Sequence, residues 1–258
     1  MASRVERSFT SISWIPSEAM TGLMRLPMDV GLGHYDEPPP DHIDDIEAFV
    51  SDGRCRFANR LEVWAVLDDG LVVDAGSSGG GLVAATEVDL RALSIRVAAI
   101  PYPEIRVTEH EAGAVRFVQT AGGRTGAPFP RRVGGGNRFR MTSPTAWTTL
   151  AVTVRPDGST EAEVRGASPF PRHWFYDHDG NLVRKSATIE FDRWTSGEHE
   201  VDTPWGDADN AIVATEAESA LERTLSRIVM AEQGRRPSIR TFQPGEVLMT
   251  QGEPARSM

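Results

Sequence analysis

The chain has 258 residues, of which 40% are hydrophobic and 25% are charged, as is usual for a soluble globular protein that buries a substantial core. Its formal net charge of −10 argues against a dedicated nucleic-acid-binding surface, because such a surface needs a basic footprint. The single cysteine, Cys55, cannot form an internal disulfide, which favours a reducing compartment such as the cytoplasm.

The N-terminal segment is rich in turn-forming residues and ends in Pro38-Pro39-Pro40. It has no apolar run long enough for a signal peptide or a membrane span, so we expect a cytoplasmic protein that does not associate with membranes. Its scattered apolar residues distinguish it from a disordered tail. Residues 1–40 are therefore predicted to form an irregular arm, received either by the core or by a partner chain.

A short helix is predicted over residues 41–50. Asp41 is a suitable N-cap, acidic residues fill the first turns, and Gly53 ends the helix. The apolar residues recur with the spacing of a helix that docks on one side, and they are Ile43, Ile46, Phe49 and Val50.

From Phe57 onward the period of the apolar residues changes to two, which indicates strands. The first pair of strands forms a hairpin that turns at Asp68-Asp69-Gly70, and two more hairpins turn at residues 156–158 and 178–180. A cluster of Pro, Arg, His and aromatic residues, 169–177, separates the last two hairpins. Glycine-rich loops are predicted at 76–81 and 120–130, and further strands at 82–90, 93–100, 115–119, 138–141 and 188–191.

This succession of short strands and Gly/Pro turns predicts a mainly β protein, either an antiparallel β-barrel or a two-sheet sandwich. One long amphipathic helix is predicted over 211–233, ended by Gly234 and Pro237. Packing on the β domain, linking two domains and pairing in a dimer all fit its apolar stripe. The predicted organisation is an arm (1–40), a β-rich domain (41–210), a helix and linker (211–236) and a final segment (237–258).

The final segment has a distinctive order of residues. An aromatic, Phe242, precedes Pro244-Gly245-Glu246, then an apolar pair, and then Gln251-Gly252-Glu253-Pro254-Ala255. This order resembles the opening of a cyclic nucleotide-binding domain of the CRP-like regulatory family, where it forms the first two strands of a jelly roll. In that family the phosphate-binding cassette, a Gly-Glu followed by an Arg, lies further downstream. The chain as given is therefore expected not to bind cAMP or cGMP, and its reading frame is expected to continue with such a cassette.

The β-rich region also resembles an uncharacterised region that precedes such a domain in some bacterial proteins. The recognisable phrases are residues 13–19 and 166–174. This second resemblance implies no activity.

No catalytic signature is present in the sequence. His34-Tyr35-Asp36 and the cluster 173–179 contain imidazole and carboxylate groups, but they lack the spacing of metal ligands. The glycine runs lack the strand and helix context of phosphate-binding loops. We predict no metal, no cofactor and no catalytic residue. The candidates to contact a small anionic ligand are Arg124, placed in a glycine loop, then Arg172, His173 and His34.

Three functions follow from these observations. The leading one is a cytoplasmic regulatory or sensory module of a cyclic nucleotide-responsive protein, itself unable to bind cyclic nucleotide as given. The second is a small-molecule-binding β-barrel or enzyme with a pocket near Arg124, Arg172 and His173. The third is a structural or assembly domain, forming a homodimer through the helix 211–233 or the N-terminal arm.

Overall fold

The computed structural model describes residues 2–16, 37–52, 54–90, 93–111, 113–125, 129–132, 139–142, 145–186 and 203–205. The chain divides into two units, Met1–Ala217 and Glu218–Met258, and every described residue belongs to the first. His34, the strand predicted at 188–191, the helix predicted over 211–233 and the segment 237–258 lie outside the described residues. The predicted domain boundaries remain predictions.

The described residues form fourteen strands and one helix. In chain order these are β1 (Ser3–Trp14), α1 (Ile46–Ser51), β2 (Phe57–Asp68), β3 (Leu71–Val83), β4 (Thr86–Leu90), β5 (Leu93–Val97), β6 (Ile100–Pro101), β7 (Ile105–Glu111), β8 (Ala114–Arg124), β9 (Phe129–Arg132), β10 (Phe139–Thr142), β11 (Thr145–Val154), β12 (Thr160–Ala167), β13 (Arg172–Tyr176) and β14 (Leu182–Lys185).

The strands form two five-stranded antiparallel sheets. The order in the first sheet is β14-β13-β1-β2-β3. In the second it is β12-β11-β8, and both β6 and β7 pair with the other edge of β8. Two separate hairpins, β4-β5 and β9-β10, complete the set. The prediction of a mainly β protein with antiparallel sheets is therefore confirmed.

The two sheets share one hydrophobic core. Phe9, Leu61 and Phe175 come from the first sheet and meet Phe117 and Leu150 of the second, all with at most 2% of their surface exposed. Each such side chain contributes about 2 kcal/mol through burial. Within the described residues neither sheet closes on itself, so the two layers meet face to face and do not form a barrel.

The prediction of an irregular N-terminal arm is wrong for residues 3–14, which form strand β1. Residues 3–14 form a central strand of the first sheet, paired with β2 on one side and with β13 on the other. Phe9 and Ser11 face the second sheet, whereas Ile12 and Trp14 belong to a cluster on the outer face. Because both faces are covered and the inner face buries serines, the alternation of apolar and polar residues that indicates a strand is lost.

The predicted glycine loop at 76–81 is also corrected, because these residues continue β3. Gly79 has a φ of +96°, and a Cβ at this position would overlap the main-chain oxygen of Arg60 on β2. A Cβ on Gly81 would meet the Cβ of Ala121 on β8 at 2.6 Å. The glycines therefore let β3 approach its neighbours closely without leaving the ladder.

Helix α1 docks on the outer face of the first sheet, as its predicted apolar face requires. Ile43 and Phe49 join the outer cluster with Trp14 and Trp174, whose rings meet edge to face at 5.5 Å. The helix begins later than predicted, with Asp45 as the N-cap instead of Asp41. Residues 41–43 instead pair with the β13-β14 turn, since Ile43 N donates to Gly180 O and Leu182 N to Asp41 O.

The three predicted hairpins are confirmed as β2-β3, β11-β12 and β13-β14. The turn between β2 and β3 has positive φ at both Asp69 (48°) and Gly70 (72°), as a two-residue hairpin turn requires. Among the described residues, no helix combines the length and the apolar character needed to span a bilayer.

Candidate functional site

The interior between the sheets has an apolar half and a polar half. We define the polar half as Ser11, Ser13, Asn59, Gln119, Thr148, His173 and Ser168, each with at most 3% of its surface exposed. Buried polar groups of this kind are tolerated only when they are hydrogen-bonded. The polar half therefore contains the residues best suited to catalysis or ligand binding, and their hydrogen bonds show whether they are available for either role.

His173 lies at the centre of one part of this network. Strand β13 directs its side chain inward, opposite Ser13 of β1, and Ser13 Oγ lies 2.6 Å from His173 Nδ1. His173 Nε2 lies 2.8 Å from the main-chain oxygen of Ser168 and 3.2 Å from its Oγ. A carbonyl oxygen can only accept, so the ring carries its proton on Nε2 and accepts the Ser13 hydroxyl at Nδ1.

Burial lowers the pKa of His173 to about 4, although the hydrogen bond to the Ser168 carbonyl favours the protonated form. The imidazole is therefore neutral at pH 7. Serine and histidine in contact are the usual parts of an activated nucleophile, but a substrate must also reach them. With none of its surface exposed and both ring nitrogens hydrogen-bonded, His173 joins β1, β13 and the β12-β13 connection.

A second part of the polar half joins the two sheets directly. Asn59 Nδ2 donates to Thr148 O at 2.9 Å and lies 3.1 Å from Thr148 Oγ1. Gln119 Nε2 donates to Asn59 Oδ1 at 2.7 Å and to Arg60 O at 2.9 Å. Ser11 Oγ and Thr148 Oγ1 lie 2.8 Å apart. These bonds fix the register of β1, β2, β8 and β11 against one another.

The structure places the other predicted ligand contacts apart from one another. Arg172 precedes His173 on β13 but points to the opposite face, where its guanidinium lies 5.6 Å from the centre of the Trp14 ring. Arg124 does not lie in a glycine loop: it is the last residue of β8, in the second sheet, with 4% of its surface exposed. Its Cα pairs with Thr145 and Ile100.

The remaining His/Asp cluster lies on the β13-β14 turn. His178 is exposed there, as predicted, and its Nδ1 lies 3.2 Å from Ser8 Oγ of β1. The Asp177 carboxylate accepts the main-chain N–H groups of Asp179 and Asn181 and so stabilises the turn. Among the described residues, no carboxylate orients His178, and no three His, Cys, Asp or Glu side chains are grouped so as to hold a metal ion.

Two surface clefts of about 360 Å³ are lined by described residues. The first is bordered by ion pairs of the second sheet, including Arg116 to Glu163 at 2.9 Å, and by the pair Arg155 and Glu161. The second, which we name the β1-β12 cleft, opens between the two sheets. Sequence reasoning missed it because residues 3–14 were expected to be irregular. Its lining includes Arg7, Phe9, Val152, Ala162, His178 and Arg184.

Comparison with protein-family models, curated proteins and solved structures finds no match to this chain.

Proposed function

We propose that this chain is a cytoplasmic regulatory module of a cyclic nucleotide-responsive protein, and that its two-sheet domain acts through binding and not through catalysis. The observation that carries the proposal is the order of residues in 240–258, with Pro244-Gly245-Glu246 and Gln251-Gly252-Glu253-Pro254-Ala255 at the spacing of a cyclic nucleotide-binding domain. The absence of catalysis is supported by the histidine and serine groups of the core, which are hydrogen-bonded to one another and not directed at either cleft.

The buried network argues against catalysis by His173. His173 is the best-placed acid or base by residue type, yet its nitrogens are bonded to Ser13 and Ser168 inside the core. An acid–base catalyst has to come within hydrogen-bond reach of a substrate proton. The same burial makes a small-molecule pocket built on Arg124 and His173 a weaker proposal than a regulatory domain.

Titration calorimetry with cAMP and cGMP tests the proposal. The 258-residue chain is expected to show no saturable binding, because the resemblance stops before the phosphate-binding cassette. A longer form of the protein that contains a Gly-Glu followed by an Arg downstream of this segment is expected to bind with one site per chain. Binding by the 258-residue chain, or no binding by such a longer form, would contradict the proposal.

An assembly role is the second candidate, and a specific observation favours it. Within the described residues, the first half of β1 is paired with another strand along one edge only. Unpaired strand edges of this kind accept further strands.

A further inference from the structure

The open edge of β1 has well-defined limits. Strand β2 pairs with β1 from Ser3 to Ser13, but β13 pairs with it only from Thr10 onward. The β13-β14 turn lies against the strand at Ser8 through His178. Among the described residues, the stretch Ser3–Arg7 therefore has main-chain groups along one edge without a neighbouring strand. Its residues are exposed, apart from the half-buried Val5.

Another edge of the same sheet is covered from within the chain. Arg106 donates to Gly79 O at 2.7 Å, and Gly81 N donates to the Glu104 carboxylate at 2.8 Å, so side chains from the start of β7 occupy the outer edge of β3. Native proteins protect exposed edges in this way. Among the described residues, the cover over Ser3–Arg7 is a bond from the strand's own side chain, since Arg7 Nη1 donates to Glu6 O at 2.7 Å, and an incoming strand can displace it.

We propose that a second copy of this chain pairs with Ser3–Arg7, joining the two first sheets across a two-fold axis. Such an interface is self-complementary, and antiparallel strands related by an axis perpendicular to the sheet place one residue opposite itself. With Val5 at the axis, Arg4 lies opposite Glu6 of the second copy, and Ser3 lies opposite Arg7. The paired stretch then ends where His178 covers the edge.

The charges select this register over its neighbours. Arg4 and Glu6 lie on the outer face, with 54% and 60% of their side chains exposed, and Arg4 Nε lies 2.6 Å from Glu6 Oε1. Centring the axis on Arg4 or on Glu6 would place like charges opposite each other, which destabilises strand pairing. Centring on Glu6 would also require the edge at Ser8. Of these three registers, only the one centred on Val5 places an arginine opposite a glutamate, and it does so twice, once on each side of the axis.

Charged residues on an edge strand usually prevent association. Here the alternation of sign at Arg4 and Glu6 makes the same charges complementary in one register and repulsive in the others. The proposed interface is short, so we expect a weak dimer that dissociates at low protein concentration. This inference is independent of the cyclic nucleotide resemblance, since it uses the first strand alone.

A charge exchange tests the proposal by sedimentation equilibrium. The unaltered chain is expected to reach twice its mass of 28.2 kDa. Arg4→Glu and Glu6→Arg each place like charges opposite each other and should weaken dimerisation at least tenfold, whereas the double exchange should restore it. Glu109→Arg, on the exposed strand β7, is the matched control and should leave the mass unchanged. Circular dichroism checks that each variant remains folded.

Crosslinking fixes the register. Cys55 is the single native cysteine and is buried, so Val5→Cys adds one accessible thiol to the edge strand. With copper phenanthroline as oxidant, Val5→Cys should form a disulfide dimer, because directly opposite residues have a suitable Cα separation. Arg7→Cys, opposite Ser3, should not. A monomer at every concentration, a dimer insensitive to the charge exchanges, or crosslinking at position 7 but not at 5 would overturn the proposal.

Discussion

Acidification from pH 7 to pH 5 should destabilise the two-sheet domain through His173. Burial holds the pKa of this imidazole at about 4 in the folded protein, against about 6.5 in an unfolded chain. Between these values the unfolded state binds a proton that the folded state rejects. The contribution of His173 to stability is therefore complete above about pH 6.5 and declines as the pH falls toward 4.

The size of the effect follows from the separation of the two pKa values. Each pH unit within the window contributes about 1.4 kcal/mol, so acidification to pH 5 should remove about 2 kcal/mol from the free energy of unfolding. Protonation would also require Nδ1 to become a donor, and the Ser13 hydroxyl would have to reverse its hydrogen bond. Both effects act in the same direction.

Urea unfolding at pH 7 and pH 5, followed by tryptophan fluorescence, measures the difference. Carboxylates also titrate in this range, so the contribution of His173 is isolated by comparison with His173→Gln, whose amide can still donate to Ser168 O. The loss of stability on acidification should be about 2 kcal/mol smaller in this variant. His110→Gln, on the exposed strand β7, should behave like the unaltered protein. An equal loss in all three proteins would refute the reasoning.

Two further predictions concern stability at neutral pH, both measured by urea unfolding. Gly79→Ala should lower the free energy of unfolding by about 3 kcal/mol, because the positive φ and the Arg60 main-chain oxygen both oppose a Cβ at this position. Gly70→Ala, which has a positive φ but open space around it, should lower it by about 1 kcal/mol. Equal losses would contradict the close approach of β3 to β2. Asn59→Ala should lower the free energy of unfolding by about 3 kcal/mol, because it removes the buried hydrogen bonds that join Asn59 to Thr148 and to Gln119. The exposed Asn181→Ala should lower it by under about 1 kcal/mol. A mild effect of Asn59→Ala would show that the buried network is dispensable.

The fold class follows from the sequence because its hairpins have strong local signals. Asp69-Gly70 and the turns at 156–158 and 178–180 specify their geometry through a few residues, and no tertiary contact has to be known. The apolar face of α1 was likewise evident from spacing. Its start was not, because pairing of residues 41–43 with the β13-β14 turn displaces the N-cap to Asp45.

The parts that escaped prediction depend on tertiary contacts. Strand β1 mixes serine and threonine with apolar residues, and its buried serines are accommodated because Ser11 and Ser13 are hydrogen-bonded to Thr148 of β11 and His173 of β13. Likewise, Gly79 and Gly81 favour a loop by propensity, but the space left by Arg60 and Ala121 requires glycine within the sheet. Such partners are distant in sequence, so local patterns cannot reveal them.

Prediction of the candidate site from the sequence was limited for the same reason. His173 was predicted to contact a small ligand, yet the sequence has no signal that Ser13 and Ser168 would be hydrogen-bonded to both its nitrogens. Arg124 was expected in a loop because Gly122 and Gly123 precede it, whereas β8 continues through both glycines. The open edge of β1 could not be foreseen while residues 3–14 were expected to be irregular.

The central claim, that the two-sheet domain responds to a cyclic nucleotide without performing catalysis, is tested most directly by hydrogen exchange. A longer form of the protein that contains a Gly-Glu followed by an Arg downstream of residue 258 would be compared with and without saturating cAMP. The account predicts that cAMP changes the exchange of main-chain amides within β1 to β14. Saturable binding of cAMP with unchanged exchange throughout these strands would contradict it.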